Sequence, residues 1–211
     1  MQIGNTLTLV NETISYFTNL PFLELTAVMS ALAYVILAAK GNILCWPAAF
    51  ISTVLYTAIF YDVYLWMDSL LQLYYMGMAI YGWFCWRKNK KNQTSLFITT
   101  WSLALHTKII VLLAGISVGL GWLMANFTPA DFPYFDSFTT VYAVFATYLV
   151  TKQVLENWLY WVVIDLASIY IYSVKGLAPT AILFALYVIL ALYGYYQWQQ
   201  SLKGQQQLSR V

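Results

Sequence analysis

Residues 66–86 read WMDSLLQLYYMGMAIYGWFCW, and residues 178–198, 112 positions later, read APTAILFALYVILALYGYYQW. Laid on one another, they pair Tyr75 with Tyr187, Tyr81-Gly82 with Tyr193-Gly194, and Trp86 with Trp198. The same offset runs without a gap over 22–86 and 134–198, pairing Lys40 with Lys152 and Trp46 with Trp158. The identities are few. They fall on Trp, Tyr, Gly and charged residues at the ends of apolar runs, where coincidence is rarest. Self-similarity at one fixed offset in an apolar chain is the mark of a duplicated helix bundle.

The 211 residues are 62% hydrophobic and 9% charged, with a mean hydropathy of +0.68. A soluble domain carries roughly a quarter charged residues, so this chain cannot cover a water-facing surface and is read as an integral membrane protein. The net charge of +2 is small, and its only basic cluster is a short loop, which argues against nucleic acid as a partner. The two cysteines, Cys45 and Cys85, lie near helix ends expected in the cytoplasm, where disulfides are rare. No His or acid stands at ligand spacing from them, so they are read as packing residues, and no metal or cofactor is expected. The opening MQIGNTLTLVNETISYF has neither a basic n-region nor a small-residue cleavage site, so no cleavable signal is expected.

Crossing a hydrocarbon core of roughly 30 Å takes about 20 apolar helical residues. Apolar runs between charges and turn residues predict an all-α integral membrane protein with seven transmembrane helices, at 22–39, 43–60, 66–86, 106–125, 134–151, 156–174 and 178–198. Strand alternation is absent from such runs, so helices rather than a barrel are expected. Residues 94–105 read either as the start of the fourth span or as a short helix lying on the membrane. The loop Arg87-Lys88-Asn89-Lys90-Lys91 is assigned to the inside by its charge. Alternation then puts Lys40, Lys152, Lys203 and Arg210 inside and Asp62, Asp131 and Asp136 outside, with Lys175 the basic exception. The N-terminus is outside and the C-terminus inside.

Each repeat holds three helices, so directly joined copies would face opposite ways. The fourth helix has no mate at the 112 offset and restores the direction. The chain thus divides into an outer N-terminal segment (1–21), a first repeat (22–86), an inner basic loop (87–105), a linking helix (106–125), an outer loop (126–133), a second repeat (134–198) and an inner tail (199–211). This is a 3+1+3 arrangement of parallel repeats about an axis along the membrane normal, a SWEET-like plan.

Polar groups inside spans are the best pointers to function, since an ionised Asp at the bilayer centre costs at least about 2.5–3.5 kcal/mol. Asp68, Gln72 and Tyr75 share one face of the third helix. That face either binds a neighbouring helix or lines a polar cavity. Asn157, Trp161, Asp165, Ser168 and Tyr172 form a continuous stripe on the sixth helix, either a substrate path or a helix-pairing seam. Trp46 and Trp158 are mates near the inner ends of their helices. They read as headgroup anchors, or as two faces stacking on a flat, positively charged ring. Tyr187 enters as the mate of Tyr75. Mates diverge at these places: Gln72 matches Phe184, Asp68 matches Thr180, Asn157 matches Cys45 and Asp165 matches Thr53. An asymmetric ligand on a pseudo-symmetric axis requires such divergence. Gly115-x-x-x-Gly119 allows close helix approach, as packing or as a subunit contact.

Other classes fit poorly. A retinal protein needs a Lys in the middle of the last span, and 178–198 has none. An enzyme is not expected: the one His, His106, stands at the start of the fourth helix with no HExxH and no nucleophile at a plausible spacing.

Trp46-Pro47, Tyr56, Phe60, Leu65-Trp66-Met67-Asp68, Leu71-Gln72, Tyr75 and Tyr81-Gly82-Trp83-x-x-Trp86 together resemble the pattern of the Pnu-type vitamin transporters. So does Glu156-Asn157-Trp158-Leu159-Tyr160-Trp161, continued through Asp165 and Lys175-Gly176-Leu177. The resemblance covers nearly the whole chain apart from its tails, and it departs at Trp66, where the family more often has Tyr. It implies a carrier in a bacterial inner membrane, its N-terminus periplasmic, for a non-phosphorylated vitamin precursor. Nicotinamide riboside is the first expectation, with thiamine and riboflavin as alternatives. Facilitated diffusion with trapping by a cytoplasmic kinase is implied, and proton coupling is the mechanistic alternative. Trp46, Trp158 and Trp161 would stack on the ring, while Gln72, Asn157 and Asp165 would bond the amide or ribose. A homo-oligomer is expected by analogy of fold, with a trimer as the first guess.

Overall fold

The computed structural model describes residues 15, 21–62, 66–90 and 97–208. Its regular structure is helical apart from one isolated bridge between Thr99 and Val154. Among the described residues, seven helices with defined bounds follow in order: α1 (Phe22–Ala39), α2 (Cys45–Asp62), α3 (Trp66–Lys90), α4 (Leu103–Phe127), α5 (Pro133–Thr151), α6 (Asn157–Val174) and α7 (Ala178–Leu208). By length and composition alone α1, α4 and α7 can cross a membrane, with apolar windows of mean hydropathy 2.0, 2.0 and 1.8. The other four carry the polar and aromatic residues singled out above, which lowers their hydropathy.

Packing follows the repeat. In the first trio α1 packs on α2 and α2 on α3, and in the second α5 packs on α6 and α6 on α7. The trios join through α1 against α7 and through α3 against α5. Those two junctions are exchanged by the 112 offset, so six helices close a ring. The linking helix α4 stands outside it, against α5.

The turns repeat hydrogen bond by hydrogen bond. After α1 the Gly41 N–H donates to Ala38 O (2.9 Å) and the Asn42 N–H to Leu37 O (2.9 Å). After α5 the Gln153 N–H donates to Val150 O and the Val154 N–H to Leu149 O, each at 3.0 Å. Both are six-residue helix stops that need a left-handed residue just past the end. Gly41 takes φ 65° and its mate Gln153 takes φ 59°. For a residue with a Cβ that conformation costs about 1–3 kcal/mol. It is held from outside: Thr99 N–H donates to Gln153 O and Leu155 N–H donates to Thr99 O, both at 2.9 Å.

That clamp decides the segment before α4. Residues 97–102 run as non-helical chain across the α5–α6 turn, and this part is not a helix lying on the membrane. Residues 91–96 lie outside the described residues. The helix then starts at Leu103, ahead of the expected 106, because the Ser102 side chain accepts the Leu105 N–H as an N-cap. At the other end α7 continues past residue 198 to Leu208, since its Gln-rich continuation has no proline and its Gln, Leu and Lys residues have good helix propensity, which outweighs the single Gly204. Cβ atoms built at Gly115 and Gly119 would meet nothing, so that face of α4 is open.

Candidate functional site

One end of the ring, the inner end in the topology expected from the sequence, is built from four tryptophans. Trp46 opens α2 and Trp158 opens α6, 2% and 3% exposed. Each indole lies flat on a glycine of the next helix. A Cβ at Gly82 would run into the Trp46 ring, and one at Gly194 would sit 2.6 Å from Trp158 Cε2. Glycine is required at both, because membrane helices associate by close van der Waals packing rather than by the hydrophobic effect. Trp86 meets Trp46 edge-on at 5.3 Å, Trp198 meets Trp158 edge-on at 5.5 Å, and Trp86 and Trp198 touch across the axis at 6.0 Å. The Trp86 indole donates to Val150 O (3.2 Å) and the Trp198 indole to Ala38 O (3.0 Å). Ala38 and Val150 are themselves mates, so each trio donates into the other.

Three buried atoms here have no hydrogen-bond partner among the described residues: Trp46 Nε1, Trp158 Nε1 and Asn157 Oδ1. Asn157 is 0% exposed, and its Nδ2 donates to Val154 O at 2.7 Å. In the matching position of the first trio stands Cys45, buried and free. An unpaired buried polar atom costs about 1–3 kcal/mol, so each of these atoms calls for a partner, an acceptor for the two indoles and a donor for the amide oxygen.

A second group of residues lies further along the helices. Trp161 is half-buried and packs against two apolar clusters, one around the four tryptophans and one among α4, α5 and α6. Tyr75 packs edge-on against Tyr74 (5.5 Å) and lies within electrostatic reach of Tyr34. Tyr187 lies within reach of Tyr56 and Asp165 and edge-on to Phe184 at 5.9 Å. Tyr34, Tyr75 and Tyr187 are each half-buried. Asp165 is 4% exposed and makes no hydrogen bond among the described residues. Ser168 is buried but bonds its own helix, donating to Ile164 O at 3.0 Å. Gln72 is half-buried one turn from Tyr75.

Asp68 stands apart. It is exposed in the first turn of α3, about 27 Å along the helix from Trp86. Its charged neighbour is Asp136 of α5, with Tyr172 in range of both. Counted along the helices, Trp46, Asn157 and Trp158 stand at the end where α2 and α6 begin, Gln72, Tyr75, Trp161, Asp165, Ser168 and Tyr187 stand further along, and Asp68 stands at the opposite end, where α3 begins.

Other features escaped the sequence reading. Tyr34 sits 6.1 Å from Trp46, and its mate is Ala146, so the offset gave no signal. A lone Tyr inside an apolar run was the only cue. His106, read as an interfacial residue, is buried: its Nδ1 lies 3.0 Å from Tyr160 Oη and its Nε2 lies 3.6 Å from Glu156 Oε2. The clamp of 97–102 over the α5–α6 turn draws it in. At the inner rim, Lys152 Nζ donates to Tyr81 Oη at 2.6 Å, joining α5 to α3. That bond pulls the Lys152 ammonium above the ordinary lysine range. The contact is complete below that range and is lost only as pH rises through the elevated value.

Comparison with known proteins agrees with this architecture. The family profile described as Nicotinamide mononucleotide transporter matches residues 21–200. The nicotinamide riboside transporter PnuC of Escherichia coli (strain K12) is 28% identical over 208 residues, covering 87% of each chain. The riboflavin/roseoflavin transporter RibM of Streptomyces davaonensis is 25% identical over 171 residues, covering 75% of this chain and 76% of its own. The crystal structure of the vitamin B3 transporter PnuC superposes with a TM-score of 0.72 at 20% identity, covering 93% of this chain and 89% of that one, which shows a shared fold. Across nearly all of its helical body, then, the chain belongs to the nicotinamide mononucleotide transporter family, as a Pnu-type membrane transporter.

Proposed function

We propose that this chain takes up nicotinamide riboside by facilitated diffusion across a bacterial inner membrane, with phosphorylation in the cytoplasm trapping the ligand. The seven helices are read as seven spans in a 3+1+3 plan of parallel repeats, N-terminus outside and C-terminus inside. The two trios rock about a site on their common axis. Association of copies, a trimer in this reading, would use the open face of α4 at Gly115 and Gly119.

The observation that carries the reading is the presence of buried polar atoms without a partner among the described residues, Trp46 Nε1, Trp158 Nε1 and Asn157 Oδ1, in a helix ring that also holds the half-buried Tyr34, Tyr75 and Tyr187. Nicotinamide riboside has a cationic aromatic ring, an amide and ribose hydroxyls. Its amide and hydroxyls both donate and accept, as the orphan atoms require. Trp161, Tyr75 and Tyr187 offer ring faces for a flat cation, an interaction worth about 2 kcal/mol when desolvated. Asp165 supplies a buried carboxyl group with which a cation can pair, and Gln72 a further amide. The names of the relatives in Escherichia coli and in Neisseria mucosa, the latter 23% identical over 199 residues, support the same ligand.

The relative RibM favours a second reading, a riboflavin carrier. The flavin ring is larger and uncharged, and would leave Asp165 uncompensated. Calorimetric titration of the purified protein with nicotinamide riboside, thiamine and riboflavin in parallel decides between them. Binding of nicotinamide riboside alone is the expected result. Binding of riboflavin or thiamine instead would keep the carrier and move its substrate.

A further inference from the structure

The geometry points to the row Trp46–Trp86–Trp198–Trp158 as the inner gate of the carrier, with its seam between Trp86 and Trp198. The inference rests on the rocking of two bundles proposed above. Contacts in the row are of two kinds. Trp46 is locked to Gly82 and Trp86, all on α2 and α3, and Trp158 to Gly194 and Trp198, all on α6 and α7. These halves belong to single trios and move with them. Across the seam run one tilted ring contact, the two reciprocal indole bonds to Val150 O and Ala38 O, and the Lys152–Tyr81 bond.

The seam is built to part at low cost. Ala38 O and Val150 O also accept the Gly41 and Gln153 N–H groups at 2.9 and 3.0 Å. When the indoles leave, both carbonyls stay satisfied, and the two N–H donors swing towards inner water. Close packing elsewhere in the row makes the closed state discrete rather than loosely deformable. In this structure the gate is shut: Trp86 and Trp198 are each 1% exposed.

Cys45 is a built-in reporter. It is 0% exposed, beside Trp46 at the inner end, and the only other cysteine is Cys85. In a Cys85→Ser background, N-ethylmaleimide should label Cys45 slowly. Trp86→Phe and Trp198→Phe each remove one crossing bond and keep an aromatic ring, and Lys152→Gln removes the bond at the rim. Labelling should accelerate roughly five-fold in each, the shift that one net hydrogen bond gives. An unchanged rate in Lys152→Gln and in every Trp variant that accumulates would overturn the gate. Calorimetry with nicotinamide riboside on the unmodified protein is read separately. No binding there would remove the proposed substrate and leave the labelling rates to decide the gate.

Discussion

Gly194→Ala is expected to lower the melting temperature of the detergent-solubilised protein by about 6–12 °C, the shift that about 3 kcal/mol produces in a chain of this size. The new Cβ would lie 2.6–2.7 Å from three atoms of the Trp158 ring, well inside van der Waals contact. The indole cannot retreat, because it is 3% exposed and held edge-on by Trp198. Overpacking a close-packed site costs typically about 1–3 kcal/mol, and a rigid bicyclic neighbour puts this one at the upper end. Gly82→Ala meets Trp46 in the same way and should behave alike. Gly77→Ala is the control: a Cβ there meets nothing, and better helix propensity should leave stability unchanged or raise it by up to about 1 kcal/mol. Tryptophan fluorescence during heating reads all three. If Gly194→Ala melts like Gly77→Ala, the flat Trp-on-Gly packing is wrong.

The second large effect concerns binding. Asp165→Asn keeps the shape of the side chain and removes its charge. For a ligand cation taken at about 7 Å in an effective dielectric near 20, the lost attraction is about 2 kcal/mol. Nicotinamide riboside affinity should therefore fall about thirty-fold. Asn157→Ala removes the orphan acceptor and the Nδ2 bond to Val154 O, and should weaken binding by about ten-fold or more, a hydrogen-bond loss in a buried site. Gln72→Ala should weaken it less, since Gln72 is only half-buried. Calorimetry gives the affinities, and size-exclusion profiles confirm that each variant is folded. Normal binding by both Asn157→Ala and Asp165→Asn would remove these residues from the site while leaving the family unaffected.

These two experiments probe different kinds of information. The glycines that carry the tryptophans were visible as repeat mates, Gly82 with Gly194, but nothing in the linear pattern said what lay against them. Asp68, Gln72 and Tyr75 stand four and three residues apart on α3, the spacing by which periodicity puts them on one helical face. Their separation along the membrane normal is a matter of rise per residue. Asp68 sits with Asp136 at one end of the ring, while the orphan atoms of Trp46, Asn157 and Trp158 lie towards the other. Tyr34 and His106 had no repeat mate of their own kind, so an offset search could not single them out.

By itself the sequence determined the class, the helical character and the family. Composition excludes a water-facing surface, unbroken apolar runs in lipid leave helices to satisfy the backbone, and rare residues at a fixed offset record the duplication. Those are local or statistical properties of one chain. Only the tertiary structure decided that α1 meets α7 and α3 meets α5 to close a ring. It alone decided that Trp86 and Trp198 donate across the seam to Val150 and Ala38, and that the Trp46 and Trp158 indoles lie on glycines with their N–H groups unpaired. Those facts depend on which helix faces come together. That is settled by close packing among distant segments, which no window along the sequence contains.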